Sequence, residues 1–430
     1  MGGAMRASWR VWGLACMLVC VAASVCSAAG FSIYEWSARG NALGGTLVGR
    51  ADDPSALAYN PAGITQLDGV QVMAGFTAIR PVLDIRTVGP EGDKWTTSER
   101  DALWMPPHAY ATWKVNDRYS VGLGVFSRFG LGSVIDEKWP GRYNSYRAVI
   151  QAISINPNVA VKVTDRLSAA FGVEAMHLSF LKEQKINLGR INPLLPDGDS
   201  KIDADGWGGG FNLALHYQPC DYARVGLTYR GPVPMKIRGT AEFSDIPSMV
   251  QAAGLLRDSD ANGKVTLPDS VALGVTLYPT EKLSVELSAM HTFWSKYKEL
   301  RINYADPVIP GPGGRRLDQT VQRKHWKDVW RLGVGVEYAA LDWLDLRAGY
   351  VYDQEPVRGD YIDYMVPANN RHLFNAGLGF HRNNWTLDMH YTYLMIEDRD
   401  IKARLAEGVY KGEIKNADAH MVGLSIGYAF

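Results

Sequence analysis

The chain has 430 residues with 45 Lys plus Arg against 45 Asp plus Glu, so it carries neither a basic field for nucleic acid nor an acidic field for cations in bulk. After the leader, no stretch reaches the roughly 18 consecutive apolar residues of a spanning helix, which excludes a helical membrane protein but not one built of strands. Three of the four cysteines, Cys16, Cys20 and Cys26, sit in the leader, and Cys220 alone remains, so the mature chain has no internal disulfide.

Arg6 and Arg10 precede an apolar run, Val11 to Val25, and Ser27-Ala28-Ala29 supplies small residues for cleavage. Residues 1–28 read as a signal peptide, with cleavage after Ala29 as the alternative. The run is shorter than the ~20 residues an uncleaved anchor needs. Residues 29–68 then show no period-2 alternation. Gly40, Gly44, Gly45, Gly49 and Gly63 allow close backbone packing, and Asp53-Pro54 and Asn60-Pro61 mark turns. Ser55 to Tyr59 has room for one or two helical turns, capped by Asp52 or Asp53 and ended by Pro61. A segment this small buries no core alone, so it is expected to be a plug inside a barrel formed by residues 69–430.

From Val70 onward, strand-length segments alternate apolar with small or polar residues. Examples are Tyr119-Val121-Leu123-Val125, Val159-Val161-Val163, Leu167-Ala169-Phe171-Val173 and Trp385-Leu387-Met389-Tyr391-Tyr393. Alternation suits either a soluble sandwich or a barrel with its apolar face in lipid. The connections decide between them. Turns at Asn116-Asp117, Thr164 to Arg166, Pro219 to Asp221, Pro279 to Lys282, Asp342 and Asn383-Asn384 are short. The intervening stretches, such as Lys182 to Asp205, Gly231 to Pro268 and Arg301 to His325, are long. Short turns on one rim and long loops on the other mark an all-β, antiparallel transmembrane barrel of about fourteen strands, with both termini on the short-turn side. The chain ends MVGLSIGYAF, with Val422, Leu424, Ile426, Tyr428 and Phe430 on one face. A terminal aromatic on an amphipathic strand is the signal read by the barrel-assembly machinery, so that machinery is an expected partner.

The residues resemble the FadL-type outer-membrane transporters of long-chain fatty acids and their TodX-type aromatic-hydrocarbon relatives. The likeness spans the mature chain. It rests on Ala38-Arg39-Gly40-Asn41-Ala42, Ala51-Asp52-Asp53-Pro54, Asn60-Pro61-Ala62, Phe129-Gly130-Leu131, Ile155 to Ala160, Val225 to Arg230 and Phe293-Trp294-Ser295. The resemblance implies an N-terminal hatch, with Gly40, Asp53, Asn60, Pro61 and Ala62 in the plug or gate. It also implies capture of hydrophobic ligand in an outer groove, passage to a pocket in the barrel and lateral exit at an inward kink of the third strand. Phe129, Gly130 and Leu131 fall at that kink, where glycine tolerates lost ladder bonds. By analogy with the family's fourth external loop, Met249, Val250, Leu255 and Leu256 are the groove candidates.

No nucleophile elbow, His-Glu-x-x-His, phosphate loop or paired-cysteine site occurs, so no enzymatic activity is expected. Inward Glu174, Glu286, Arg331, Glu337, Arg347, Asp388 and His390 fit a polar barrel interior. A carboxylate ligand needs a buried cation, and Arg224, Arg230, Arg331 and Arg347 are the candidates. Asp258-Ser259-Asp260-Ala261-Asn262-Gly263 has the order of a calcium loop, with Asp269 at the twelfth position. Asp in place of the usual Glu, Pro268 before it and a following strand favour a solvated turn over a structural calcium site. The expected partners are a hydrophobic small molecule, outer-membrane lipid and lipopolysaccharide, with no nucleic acid and a monomeric chain. A general porin would lack the plug, a loop-based adhesin would not need the kink, and a hydrolase would need serine or aspartate beside histidine near the outer rim.

Overall fold

The computed structural model describes residues 30–89, 92–99, 102–190 and 192–430, so the leader expected over 1–28 lies outside the described residues. The alternating segments close into a fourteen-stranded antiparallel barrel. Its first seven strands are Val70–Val88, Pro107–Lys114, Tyr119–Phe126 resuming at Gly130–Val134, Arg147–Thr164, Leu167–Ile186, Gly198–Cys220 and Ala223–Arg230. The other seven are Ser270–Thr280, Leu283–Thr292, Val329–Leu341, Leu344–Asp353, Arg371–Arg382, Trp385–Ile396 and Gly412–Ala429. The last strand pairs with the first, Val72 opposite Tyr428 and Phe76 opposite Leu424, and the Phe430 amide donates to the Val70 carbonyl at 2.9 Å. Closure leaves no open edge within the wall, as lipid requires.

Phe171, Leu213, Leu346, Phe374 and Val422 point outward and stay exposed, the band that lipid covers. Their strand neighbours point inward and are small or polar. The reason is the space they leave. A Cβ at Gly226 would overlap the Val48 carbonyl, one at Gly335 would overlap the Thr46 hydroxyl, and one at Gly377 would overlap Ala42. The wall glycines thus mould the barrel to residues 31–67, which lie inside it and are almost wholly buried. This inner segment holds a helix Ala38–Ala42, a second Ala56–Tyr59 and a 3-10 turn Pro61–Gln66. The second helix starts after Ser55, whose side chain makes no capping bond. Asp53 instead accepts from the Ser55 amide at 2.8 Å. Pro61 follows the helix end and opens the 3-10 turn, its missing amide being needed nowhere there.

Several stretches read as long loops are strands. Val233–Ser244, Ser259–Leu267, Glu299–Tyr304 and Gln319–Arg323 pair in that order beyond the barrel rim, and Val233–Ser244 also lies along the sixth strand. Their inward residues, Met235, Ile237, Ile302 and Tyr304, are buried, but the opposite face carries charge. Without an apolar outer face, the pattern that reveals lipid-embedded strands is missing. The calcium-like order falls on one of these strands. Asp260 and Asn262 sit on an extended backbone opposite Thr240 and Arg238, which spaces them too widely to wrap one ion. Asp258 accepts from the Phe243 amide at 2.7 Å, Asp269 binds Lys296 at 2.6 Å and Tyr229 at 2.9 Å, and no metal-holding group of acids, histidines or cysteines occurs among the described residues. The twelve-residue loop does not form.

Candidate functional site

The third strand breaks where the glycine-containing stretch begins. Phe126 pairs with Ser154 and Gly130 with Gln151 on the fourth strand, so four steps on one side face three on the other and one residue bulges. On the opposite edge, pairing with the second strand ends at His108 and Phe126, while Gly130–Val134 continues the ladder with the fourth strand. The start of the plug takes up the broken bonds from inside. The Ile33 amide donates to the Arg128 carbonyl at 3.0 Å, and the Gly130 amide donates to the Phe31 carbonyl at 2.9 Å. Trp104, bridged to Ile79 of the first strand, lies across the gap on Gly132, where a Cβ would overlap its indole. Gly130 has more room, its virtual Cβ lying 3.3 Å from Ile33.

Behind this break is a cavity of about 410 Å³. Ile33, Leu83, Phe129, Ile150, Leu373 and Leu394 give it an apolar lining. It reaches inward to Arg331 and Arg371 and also touches Met105 and Ile153, which are exposed on the outside of the wall. The cavity therefore communicates through the side of the barrel. Above the plug, the ring of Phe31 packs against Trp294 at 4.7 Å, Tyr297 at 5.6 Å, Trp326 at 5.7 Å and Phe129 at 5.9 Å. The aromatic cluster ties the plug's start to the kink and to the outer rim.

Of the four arginines suggested by sequence, only Arg331 lines this cavity. Arg371, which sequence reasoning missed, joins it, and both donate to the same oxygen of Asp353 at 2.8 Å. Glu35 lines the same cavity and acts on Arg371 electrostatically, so the two guanidinium groups are balanced by Asp353 and Glu35. Tyr34 lies 4.3 Å from the Arg331 guanidinium. Arg230 is buried and spends its donors on the plug carbonyls of Leu57 and Ala58, both at 2.7 Å, and on Asn156. Arg347 binds Glu337 at 2.7 Å, Asp345 at 3.0 Å and Asp388. Arg224 lies 3.5 Å from Asp52 and stacks on Tyr278. These three hold structure rather than face the cavity. The signal for Arg371 was parity alone, since it shares the inward face of its strand with Leu373 and Asn375.

Below the cavity the plug is locked to the wall. Glu286 accepts from three successive plug amides, Val48 at 2.8 Å, Gly49 at 3.0 Å and Arg50 at 2.9 Å, and from the Thr276 hydroxyl at 2.7 Å. Arg39 binds Asp52 at 2.7 Å, Asp53 at 3.0 Å and Glu337 at 2.7 Å. Asn60 donates to Val48 at 2.7 Å and to Leu215 of the wall at 3.0 Å, while its carbonyl oxygen accepts from Ala62. Gly40 is required because a Cβ there would overlap the Tyr59 hydroxyl. Pro61 and Ala62 are buried beside them.

At the outer end, a cleft of about 920 Å³ is lined by Phe243, Leu256, Leu300, Ile302 and Ile309 together with Lys182 and Arg301. Leu256 is the one groove candidate lining it. Val250 is buried in the same apolar cluster and Leu255 packs at its margin, whereas Met249 is 65% exposed and points away. The four residues do not converge as one surface, because the short helix Ser248–Ala252 turns Val250 inward and Met249 outward. Glu355, just beyond the eleventh strand, is fully buried, and one of its carboxylate oxygens has no hydrogen-bond partner among the described residues. Burial raises its pKa to about 7 against the pull of Arg399.

A closed barrel in lipid, plugged from its N-terminus and holding an apolar cavity open to its own side, is the architecture of an outer-membrane transport protein. The family described as "Outer membrane protein transport protein (OMPP1/FadL/TodX)" matches residues 19–430, and the chain belongs to it. The chain is similar to an outer membrane protein of Neisseria meningitidis serogroup B, at 28% identity over 95% of this chain and 96% of that one. It is also similar to a long-chain fatty acid transport protein of Escherichia coli O6:H1, at 24% identity over 94% of each. Among solved structures, a Pseudomonas aeruginosa FadL homologue shares the fold with a TM-score of 0.80 at 21% identity, covering 94% of this chain and all of that one.

Proposed function

We propose that this protein carries long-chain fatty acids across the outer membrane. Ligand enters from the outer cleft around Leu256, settles in the apolar cavity beneath it and leaves sideways past Trp104, at the break in the third strand. The observation that carries this reading is the cavity's double lining, by inward Arg331 and outward Ile153. A hydrophobic molecule released there enters lipid without crossing water, while the locked plug closes the direct path below. The guanidinium donors of Arg331 and Arg371 at the cavity suit a carboxylate head, with the chain along Ile150, Leu373 and Leu394. Release of the plug would require ligand to favour a second arrangement of its start, where Phe31 and Ile33 hold the kink.

The test is uptake by cells whose own transporter is deleted, with a labelled long-chain fatty acid and with toluene. Gly130→Val presses on Ile33 and braces the kink, so uptake should fall while the purified barrel still binds fatty acid. Trp104→Ala widens the gap, so uptake should hold or rise. Uptake by Gly130→Val at the unaltered rate, with equal surface levels, would refute the lateral route. Faster uptake of toluene than of fatty acid by the unaltered protein would assign the cavity to hydrocarbons.

A further inference from the structure

We propose that the outer face of the wall beside the sixth strand is a binding site for the phosphates of outer-leaflet lipopolysaccharide, built on Lys236 and Lys264. Val233–Ser244 and Ser259–Leu267 place Lys236 directly opposite Lys264, both exposed on the outward face, with Arg238 two residues further along. Like charges facing each other across a ladder destabilise it unless an anion lies between them. Among the described residues no acid lies within ion-pair distance of Lys236 or Lys264, which face each other. On the same rim Glu299 takes Arg301 at 2.8 Å and Glu242 takes Lys201 at 3.3 Å. Arg238 stands opposite Asp205, and Asp203 and Asp260 lie further out, both opposite Thr240, so the acids begin one step beyond the lysine pair.

The height of the site selects a lipid. Met235 pairs with Gly208, so Lys236 stands level with Trp207, which is exposed and packs on His177 at 5.0 Å. Below Trp207 the same strand shows lipid Phe211, Leu213 and Leu215, and above it come Asp205 and Asp203. Trp207 thus sits where acyl chains end and phosphorylated sugars begin. A glycolipid whose chains lie on Phe211 and Leu213 brings its phosphates to Lys236 and Lys264, with Trp207 under a sugar ring.

The test uses the full chain in detergent, with bisphosphorylated deep-rough lipopolysaccharide and its dephosphorylated form as probes and native mass spectrometry as readout. The Lys236→Gln, Lys264→Gln double variant should bind the phosphorylated probe at least about tenfold more weakly, and the dephosphorylated probe should bind the unaltered protein just as weakly. Lys201→Gln, on the same face but already paired, should bind normally. A second variant, Lys264→Glu, gives Lys236 an internal partner; it should lose the lipid while raising the Tm of the lipid-free barrel, which separates lost binding from lost folding. Equal binding by the double variant, equal loss in Lys201→Gln, or displacement of the lipid by millimolar inorganic phosphate would overturn the proposal.

Discussion

The two halves of the barrel interior are built on opposite principles. The inner half, around the plug, is fixed by directional bonds. Glu286 gathers three amides, Arg39 bridges Asp52, Asp53 and Glu337, and glycines in the wall fit the plug backbone closely. The outer half, around Phe31 and the break in the third strand, is held by ring packing and leaves a cavity. Directional networks specify one arrangement, and removal of one member leaves buried groups unsatisfied. Apolar contacts are individually weak and tolerate exchange of one apolar partner for another. The difference assigns sealing to the inner half and ligand handling to the outer half.

Breaking the lock should give the largest effect. In Glu286→Ala, three buried amides lose their acceptor at about 1–3 kcal/mol each, so the plug should be destabilised by at least ~3 kcal/mol. Planar-bilayer recordings should show a persistent ion conductance absent from the unaltered protein, with the barrel still resisting heat in detergent. A closed channel in this variant would mean that the glycine-moulded fit alone holds the plug.

A smaller effect belongs to Glu355 in the outer half. Burial raises its pKa from the ordinary 4.5 to about 7, so the folded protein holds this proton more tightly than the unfolded chain. The associated stability is fully present below pH 4.5 and is lost as pH rises through about 7, by roughly 3 kcal/mol. Denaturant unfolding of the unaltered protein should therefore weaken over that window, and Glu355→Gln should flatten the curve. An unchanged slope in the variant would assign the pH dependence to other groups.

The smallest change sharpens the outer half alone. Arg371→Gln removes one of the two guanidinium groups beside Asp353, so fatty acid should bind about tenfold more weakly, whereas toluene binding and plug conductance should not change. Equal weakening for both ligands, measured by calorimetry, would make Arg371 a support of the cavity wall rather than a partner of the carboxylate.

What the sequence determined by itself was the lipid-embedded part. A strand with lipid on one side and a packed lumen on the other must alternate, and the turns joining such strands are short, so Leu213, Phe374 and Val422 announce their orientation without any structure. The family resemblance likewise rested on local stretches such as Asn60-Pro61-Ala62, where a turn is encoded within a few residues. Tertiary structure alone decided the rest. The strands beyond the rim carry charge on their outer face, as at Lys236 and Lys264, and so looked like loops, while Asp258 to Asp269, with the residue order of a calcium loop, read as a solvated turn where the backbone is largely an extended strand. Which of several inward arginines faces the cavity depends on what the plug brings against it. Arg230 and Arg347 are consumed by Leu57, Ala58 and Glu337, and Arg331 and Arg371 are left at the cavity on one shared carboxylate, because contacts made between strands and with the plug leave no local periodicity to read.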